Sequence, residues 1–99
     1  MAQSTTINAP ADEWTEITDG NVTSITFLVK RGKSPVYFEA TASAEPAGGD
    51  GDVSKSIPYN EGQGEKAVAL TELFPGVTSP ARVFVHPVGD DADIFVSNA

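Results

Sequence analysis

Ile17-Thr18-Asp19-Gly20-Asn21-Val22-Thr23-Ser24-Ile25-Thr26-Phe27-Leu28-Val29-Lys30-Arg31 joins a turn signal directly to the longest strand-like run in the chain. Asp19-Gly20-Asn21 groups residues that tolerate positive φ or bond their own backbone, so the chain can reverse there at little steric cost. After it, Ile25, Phe27 and Val29 alternate with Ser24, Thr26 and Leu28, the period of a strand with one buried face. Lys30-Arg31-Gly32-Lys33 then makes a basic turn, and Val36 to Ala42 resumes the alternation. There Val36, Phe38 and Ala40 share one face, and Tyr37, Glu39 and Thr41 the other. Two alternating runs joined by a short glycine-containing link predict a β-hairpin between them.

Outward from this pair, the chain reads as further short strands. Residues 1–10 are polar and end in Asn8-Ala9-Pro10, which predicts an N-terminal arm, extended over Ser4 to Asn8 or forming a short edge strand. The remaining residues, 11–99, read as one domain. Trp14 to Thr18 alternates large apolar with polar residues. Ser43 to Ser56, with Glu45-Pro46-Ala47-Gly48-Gly49-Asp50-Gly51-Asp52 inside it, has no core-forming pattern and reads as a long loop. Short strands are expected at Ile57 to Tyr59 and Ala67 to Leu70, and a single helical turn at Thr71 to Phe74, ended by Pro75-Gly76. Two strands close the chain, Ala81 to Pro87 and Asp93 to Ser97, joined by a turn at Gly89-Asp90-Asp91. Short strands with a turn signal between each, and no long amphipathic helix, predict an all-β fold: a small antiparallel sandwich or barrel, with the jelly roll among the forms it can take.

Composition narrows function by exclusion. Ninety-nine residues bury one core at the small end of what suffices. With no cysteine there is neither a disulfide framework nor a Cys-based zinc site. The N-terminus has no basic n-region and no apolar h-region, so no signal peptide is expected, and no apolar run is long enough to cross a bilayer as a helix. Fourteen acidic residues against six basic ones give a formal net charge of −8. A field of that sign repels phosphate backbones and anionic lipid, so neither nucleic acid nor membrane is expected as a partner.

Catalytic and metal patterns are weak. His86 lies in a strand, with no Ser, Cys or acidic residue at motif spacing, and no G-x-S-x-G or P-loop is present. No enzymatic activity and no cofactor are expected. Asp50, Asp52, Ser54, Ser56 and Glu61 have the ligand spacing of an EF-hand loop, but Lys55 takes the place of the turn glycine and Pro58 sits at the ninth position. Asp90, Asp91 and Asp93 would hold a divalent ion only if their side chains converged. The sequon Asn21-Val22-Thr23 acquires meaning only on secretion.

Surface residues carry more. Lys30, Arg31 and Lys33 are three of the six basic residues, set in one turn that can dock on an acidic surface. Leu28, Tyr37 and Phe84 oppose the core-facing residues of their strands. They either form a partner-binding patch or lie under the chain's own loops.

The segments TTINAPADEWTEITDGNVTSITF (residues 5–27), PVYFEATAS (35–43), GQGEKAVALTELFPGV (62–77), ARVFV (81–85) and FVSNA (95–99) together resemble small virion proteins of tailed bacteriophages. Within that class the chain is most similar to capsid decoration, or cement, proteins. The acidic glycine-rich loop departs from that pattern, and no motif carries a catalytic residue across. The resemblance implies a non-enzymatic protein on the outer surface of a phage head, bound to the major capsid protein and to copies of itself as a homotrimer, and assembled in the host cytoplasm. On that reading the N-terminal residues Thr5, Thr6 and Ile7, with Leu28, Lys30, Arg31, Lys33 and Tyr37, are the partner-binding candidates. The alternative is a tail-tip or fibre-associated β-module that recognises host carbohydrate, with Trp14 or Tyr59 stacking on sugar.

Overall fold

A computed structural model describes residues 3–18, 21–32, 35–42, 56–75, 77 and 79–98. Eight strands and one helical turn follow in order: β1 (Gln3–Ala9), β2 (Thr15–Glu16), β3 (Ser24–Arg31), β4 (Val36–Thr41), β5 (Ile57–Tyr59), β6 (Gly64–Ala69), α1 (Leu70–Leu73), β7 (Arg82–Pro87) and β8 (Ala92–Asn98). They form two four-stranded antiparallel sheets. Sheet I has the order β1-β8-β3-β6, and sheet II the order β2-β7-β4-β5.

The pairing has one rule. β1 lies against β8, β2 against β7, β3 against β6 and β4 against β5, all antiparallel. The chain is therefore a single long hairpin whose tip is the link between β4 and β5. Rolling it up brings β8 beside β3 and β7 beside β4, which completes the two sheets. This is jelly-roll winding. The acidic loop occupies the hairpin tip, and its residues 43–55 lie outside the described ones, as do Lys33 and the Asp19-Gly20 turn.

The winding corrects the expected hairpin between the two alternating runs. β3 belongs to sheet I and β4 to sheet II. Their apolar faces look at each other across the sandwich, with Phe27 and Phe38 stacked at 4.3 Å. The closing strands β7 and β8 are likewise in different sheets, so residues 88–91 form a crossing and not a hairpin turn. Alternation states which side of a strand is buried, and both a hairpin and a crossing satisfy it.

Residues 3–9, read as an arm or a short edge strand, are a strand paired with β8 along their whole length, from Gln3 opposite Asn98 to Ala9 opposite Ala92. The helical turn before Pro75 is present as α1, closed by Phe74 N–H donating to the Leu70 carbonyl at 2.8 Å.

The core is the shared product of the inward faces. Ile25, Phe27 and Val29 of β3 and Ile94 and Val96 of β8 meet Val36, Phe38 and Ala40 of β4 and Val83 and Val85 of β7, all buried. Tyr59 packs edge-on against both Phe27 and Phe38, at 4.9 and 5.1 Å. Each such side chain contributes about 1.5–3 kcal/mol on burial, and packed aromatic pairs add about 0.5–1.5 kcal/mol. The Tyr59 hydroxyl donates to Glu65 Oε2 at 3.0 Å, tying β5 to β6 at one margin of the sandwich. At the other margin Asp12, in a left-handed conformation (φ 60°), holds the β7–β8 crossing. Its N–H donates to the Pro87 carbonyl at 2.7 Å, and its carboxylate accepts from Gly89 N–H at 3.1 Å.

Candidate functional site

Every strand of sheet I turns alternate residues away from the core, and together these make one outward surface. Three rows cross it. Thr6 of β1 lies opposite Phe95 of β8, which lies opposite Leu28 of β3, which lies opposite Gly64 of β6. On one side runs the row Asn8, Asp93, Arg31, and on the other Ser97 and Thr26. Leu28 is 39% exposed, one of two large hydrophobic side chains so exposed among the described residues. Gly64 offers no side chain to cover its flank. Phe95 beside it is half-buried, and Thr6 and Asn8 are exposed. The centre of the surface is apolar and its surround is hydroxyl, amide and paired charge.

Two bulges shape this surface. Between Val29 and Arg31 the register of β3 against β8 shifts, so Lys30 and Arg31 together oppose Asp93. A bulge places two residues against one and re-aims them. Arg31 Nε consequently donates to Asp93 Oδ2 at 3.0 Å, while Lys30 Nζ donates to Thr6 Oγ1 at 3.4 Å. Asn8 Nδ2 donates to Asp93 Oδ1 at 2.8 Å from the other side. The Arg31 guanidinium and then the Asn8 amide hold the Asp93 carboxyl below its usual range, and Asp93 raises the Arg31 guanidinium in turn. The second bulge sets Lys66 and Ala67 of β6 against Thr26. Ala67 takes a left-handed φ of 49°, and its N–H donates to Thr26 Oγ1 at 2.8 Å.

The sequence-predicted partner residues do not form one patch. Thr6, Leu28, Lys30 and Arg31 come together on the outward surface of sheet I. Thr5 and Ile7 point to the opposite side of β1, and Lys33 lies outside the described residues. Tyr37 is on the outward side of sheet II, at the far side of the sandwich, opposite His86 in the register. The basic turn is also less polarised than its composition suggests, because Arg31 is paired within its own sheet. Phe95, Thr26, Asn8 and Ser97 were missed as surface neighbours of Leu28. The signal for Phe95 was present: in Asp93-Ile94-Phe95-Val96-Ser97 it falls on the polar half of the alternation.

Sheet II differs. On its outward side Phe84 is 6% exposed, His86 3% and Glu39 8%. Trp14 packs its ring edge-on against His86 at 5.0 Å, and Ser56 Oγ donates to Glu39 Oε1 at 3.1 Å. Of the two readings of the outward aromatics, coverage by the chain itself is what Phe84 shows. Trp14 and Tyr59, the two aromatics assigned to sugar stacking, are both buried, at 6% and 7% exposure.

Arg31, Glu61, Gly89, Asp90 and Asp91 line an open cleft of about 520 Å³ beside the surface. Two of its carboxylates serve the backbone: Glu61 accepts from Gly32 N–H at 3.2 Å and Asp91 from Ala11 N–H at 2.9 Å. Asp93 is committed to Arg31. Asp90, Asp91 and Asp93 therefore do not converge, and no group of three or more His, Asp or Glu side chains among the described residues is arranged to hold a metal ion.

Comparison of the chain with family models, with curated proteins and with solved structures finds no match.

Proposed function

We propose that this chain is a structural virion protein of the decoration type, which docks the outward surface of sheet I on the major capsid protein at the outside of a phage head. It acts through protein contacts and carries out no chemical step. The observation that carries the reading is the Thr6–Phe95–Leu28–Gly64 row, an apolar centre with a polar surround on a sheet face that the described residues leave exposed at Leu28. Contacts between proteins have this anatomy, with a dry apolar centre and a hydrated rim.

The charge of −8 supports it. A protein that must remain dissolved at high copy number and then add to an assembled shell gains from self-repulsion in solution. Binding many copies to the shell, and none to its dissociated subunits, stabilises the shell by mass action. Jelly-roll winding serves both capsid and lectin domains, so the fold separates neither this reading nor carbohydrate recognition. Burial of Trp14 and Tyr59 removes the two side chains on which the carbohydrate reading rested.

The test is to mix the purified protein with undecorated heads of the virus that carries its gene and to sediment them. Saturable co-sedimentation at micromolar protein, with a raised melting temperature of the heads, is the expected result. Absence of the protein from the pellet would overturn the proposal.

A further inference from the structure

An antiparallel sheet that is not closed has two edges, and each is a template for another strand unless something blunts it. Three of the four edges here are blunted. β2 is two residues long, and β5 is three residues long with Pro58 at its centre. β6 carries the bulge at Lys66-Ala67, with Ala67 in a left-handed conformation and the charged Glu65 and Lys66. β1 has none of these devices. It runs seven residues in unbroken register with β8, and among the described residues no strand lies on its other side. Gln3-Ser4-Thr5-Thr6-Ile7-Asn8-Ala9 has no proline, glycine or charged residue.

The margin under this edge is open as well. Thr5 points toward the core side of β1 and is nonetheless exposed, and Ile7 is only half-buried. The strand of sheet II at this margin is the two-residue β2, which is too short to cover them.

We infer that β1 is an association edge whose occupant is β1 of a second copy of this chain, paired antiparallel about a two-fold axis at Thr6. The charge pattern selects this occupant. In a chain with 20 charged residues and a net charge of −8, the first eleven positions carry none, so β1 itself brings no charged side chain to the pair, and the charge that reaches the axis is Lys30, bonded in each copy to its own Thr6. The segment is also self-complementary. Centring the axis on Thr6, the middle of the seven residues, sets Thr6 opposite Thr6, Ser4 opposite Asn8 and Thr5 opposite Ile7. The two Thr6 hydroxyls then face each other on the outward side, and each Ile7 gains the partner's Thr5 on the other. Antiparallel pairing about a perpendicular axis keeps both outward surfaces on the same side, making one eight-stranded sheet. This two-fold pair takes the place of the three-fold ring that the resemblance implies, and it does not depend on what the outward surface binds.

The experiment is sedimentation equilibrium of the full chain alone, from about 1 μM to about 1 mM, with Thr6→Lys and Thr6→Glu variants singly and mixed. Thr6 is exposed, so both variants are expected to keep the wild-type circular dichroism. The wild type should move with concentration toward twice its 10.3 kDa mass. Added salt should strengthen the association by screening the net repulsion of two acidic copies. Each single variant should associate about tenfold more weakly, because like charges meet at the axis, and an equimolar mixture of the two should recover the dimer. A monomer throughout the range, a trimeric mass, or a dimer indifferent to both variants would overturn the inference. Should a variant fail to fold, hydrogen exchange of the wild type decides: amides of residues 3–9 must gain protection with concentration, and unchanged exchange there refutes the pairing.

Discussion

The outward surfaces of the two sheets begin from the same alternation and end differently. On sheet I, Leu28 and Phe95 stand among Thr6, Asn8, Thr26 and Ser97, with Lys30 and Arg31 beside them bonded to Thr6 and Asp93, and Leu28 remains 39% exposed. On sheet II, Phe84 and His86 occupy equivalent outward positions, yet both are buried: Trp14 packs on His86 and Ser56 bonds Glu39, while Pro58 at the β5 edge stays exposed. The difference teaches that an outward residue is a candidate for binding only after the segments between strands have been placed.

The comparison breaks first at Phe84 and Leu28. Phe84→Ala removes a buried ring and should cost about 3–5 kcal/mol, as a core phenylalanine does, read as a large fall in denaturation midpoint. Leu28→Asn should stay within about 0.5 kcal/mol of wild type, as surface substitutions do. Equal effects at the two positions would mean that the surfaces do not differ as described.

Tyr59 sharpens the contrast from inside. Burial and the Glu65 carboxylate raise its phenol well above the usual 10.0. A group whose pKa is raised on folding stabilises the fold fully below its unfolded value and loses that contribution as pH climbs toward the folded one. Unfolding free energy should therefore decline above about pH 10. Tyr59→Phe should cost about 1 kcal/mol at neutral pH through its hydrogen bond and should flatten the alkaline decline. A variant that keeps the wild-type slope would show that another group causes it.

Asp93 gives the smallest effect, because its ion pair with Arg31 is at the surface, where solvent screens it. Its carboxyl is held below the usual 3.8, so the contribution is present above that value and is lost as pH falls through the folded pKa. Asp93→Asn should leave the neutral melting temperature nearly unchanged and should remove a shallow acid-side decline below about pH 4. A carboxyl resonance of Asp93 titrating at its ordinary position would contradict the Arg31 and Asn8 contacts.

The faces of the strands were legible in sequence and their neighbours were not. Ile25, Phe27 and Val29, and likewise Val36, Phe38 and Ala40, point inward as their alternation requires. That Phe27 meets Phe38 across the sandwich and not within one sheet depends on the rolling of the whole chain, which no local period records. Bulges are invisible for a related reason. Lys30-Arg31 and Lys66-Ala67 are ordinary residues, and only their pairing against Asp93 and Thr26 shows that one residue is extra. Leu28 was legible as outward. Tyr37 and Phe84 were also correctly placed outward, but the burial of Phe84 was not legible. It depends on packing by other parts of the chain, as Trp14 against His86 illustrates.

The division between the two surfaces is tested most directly by sedimentation of undecorated heads with two variants, Leu28→Asp on sheet I and Pro58→Ser on the exposed outward side of sheet II. The account predicts that Leu28→Asp weakens co-sedimentation about tenfold or more while Pro58→Ser leaves it at the wild-type level. Undiminished binding of Leu28→Asp, or equal loss in both, would contradict it.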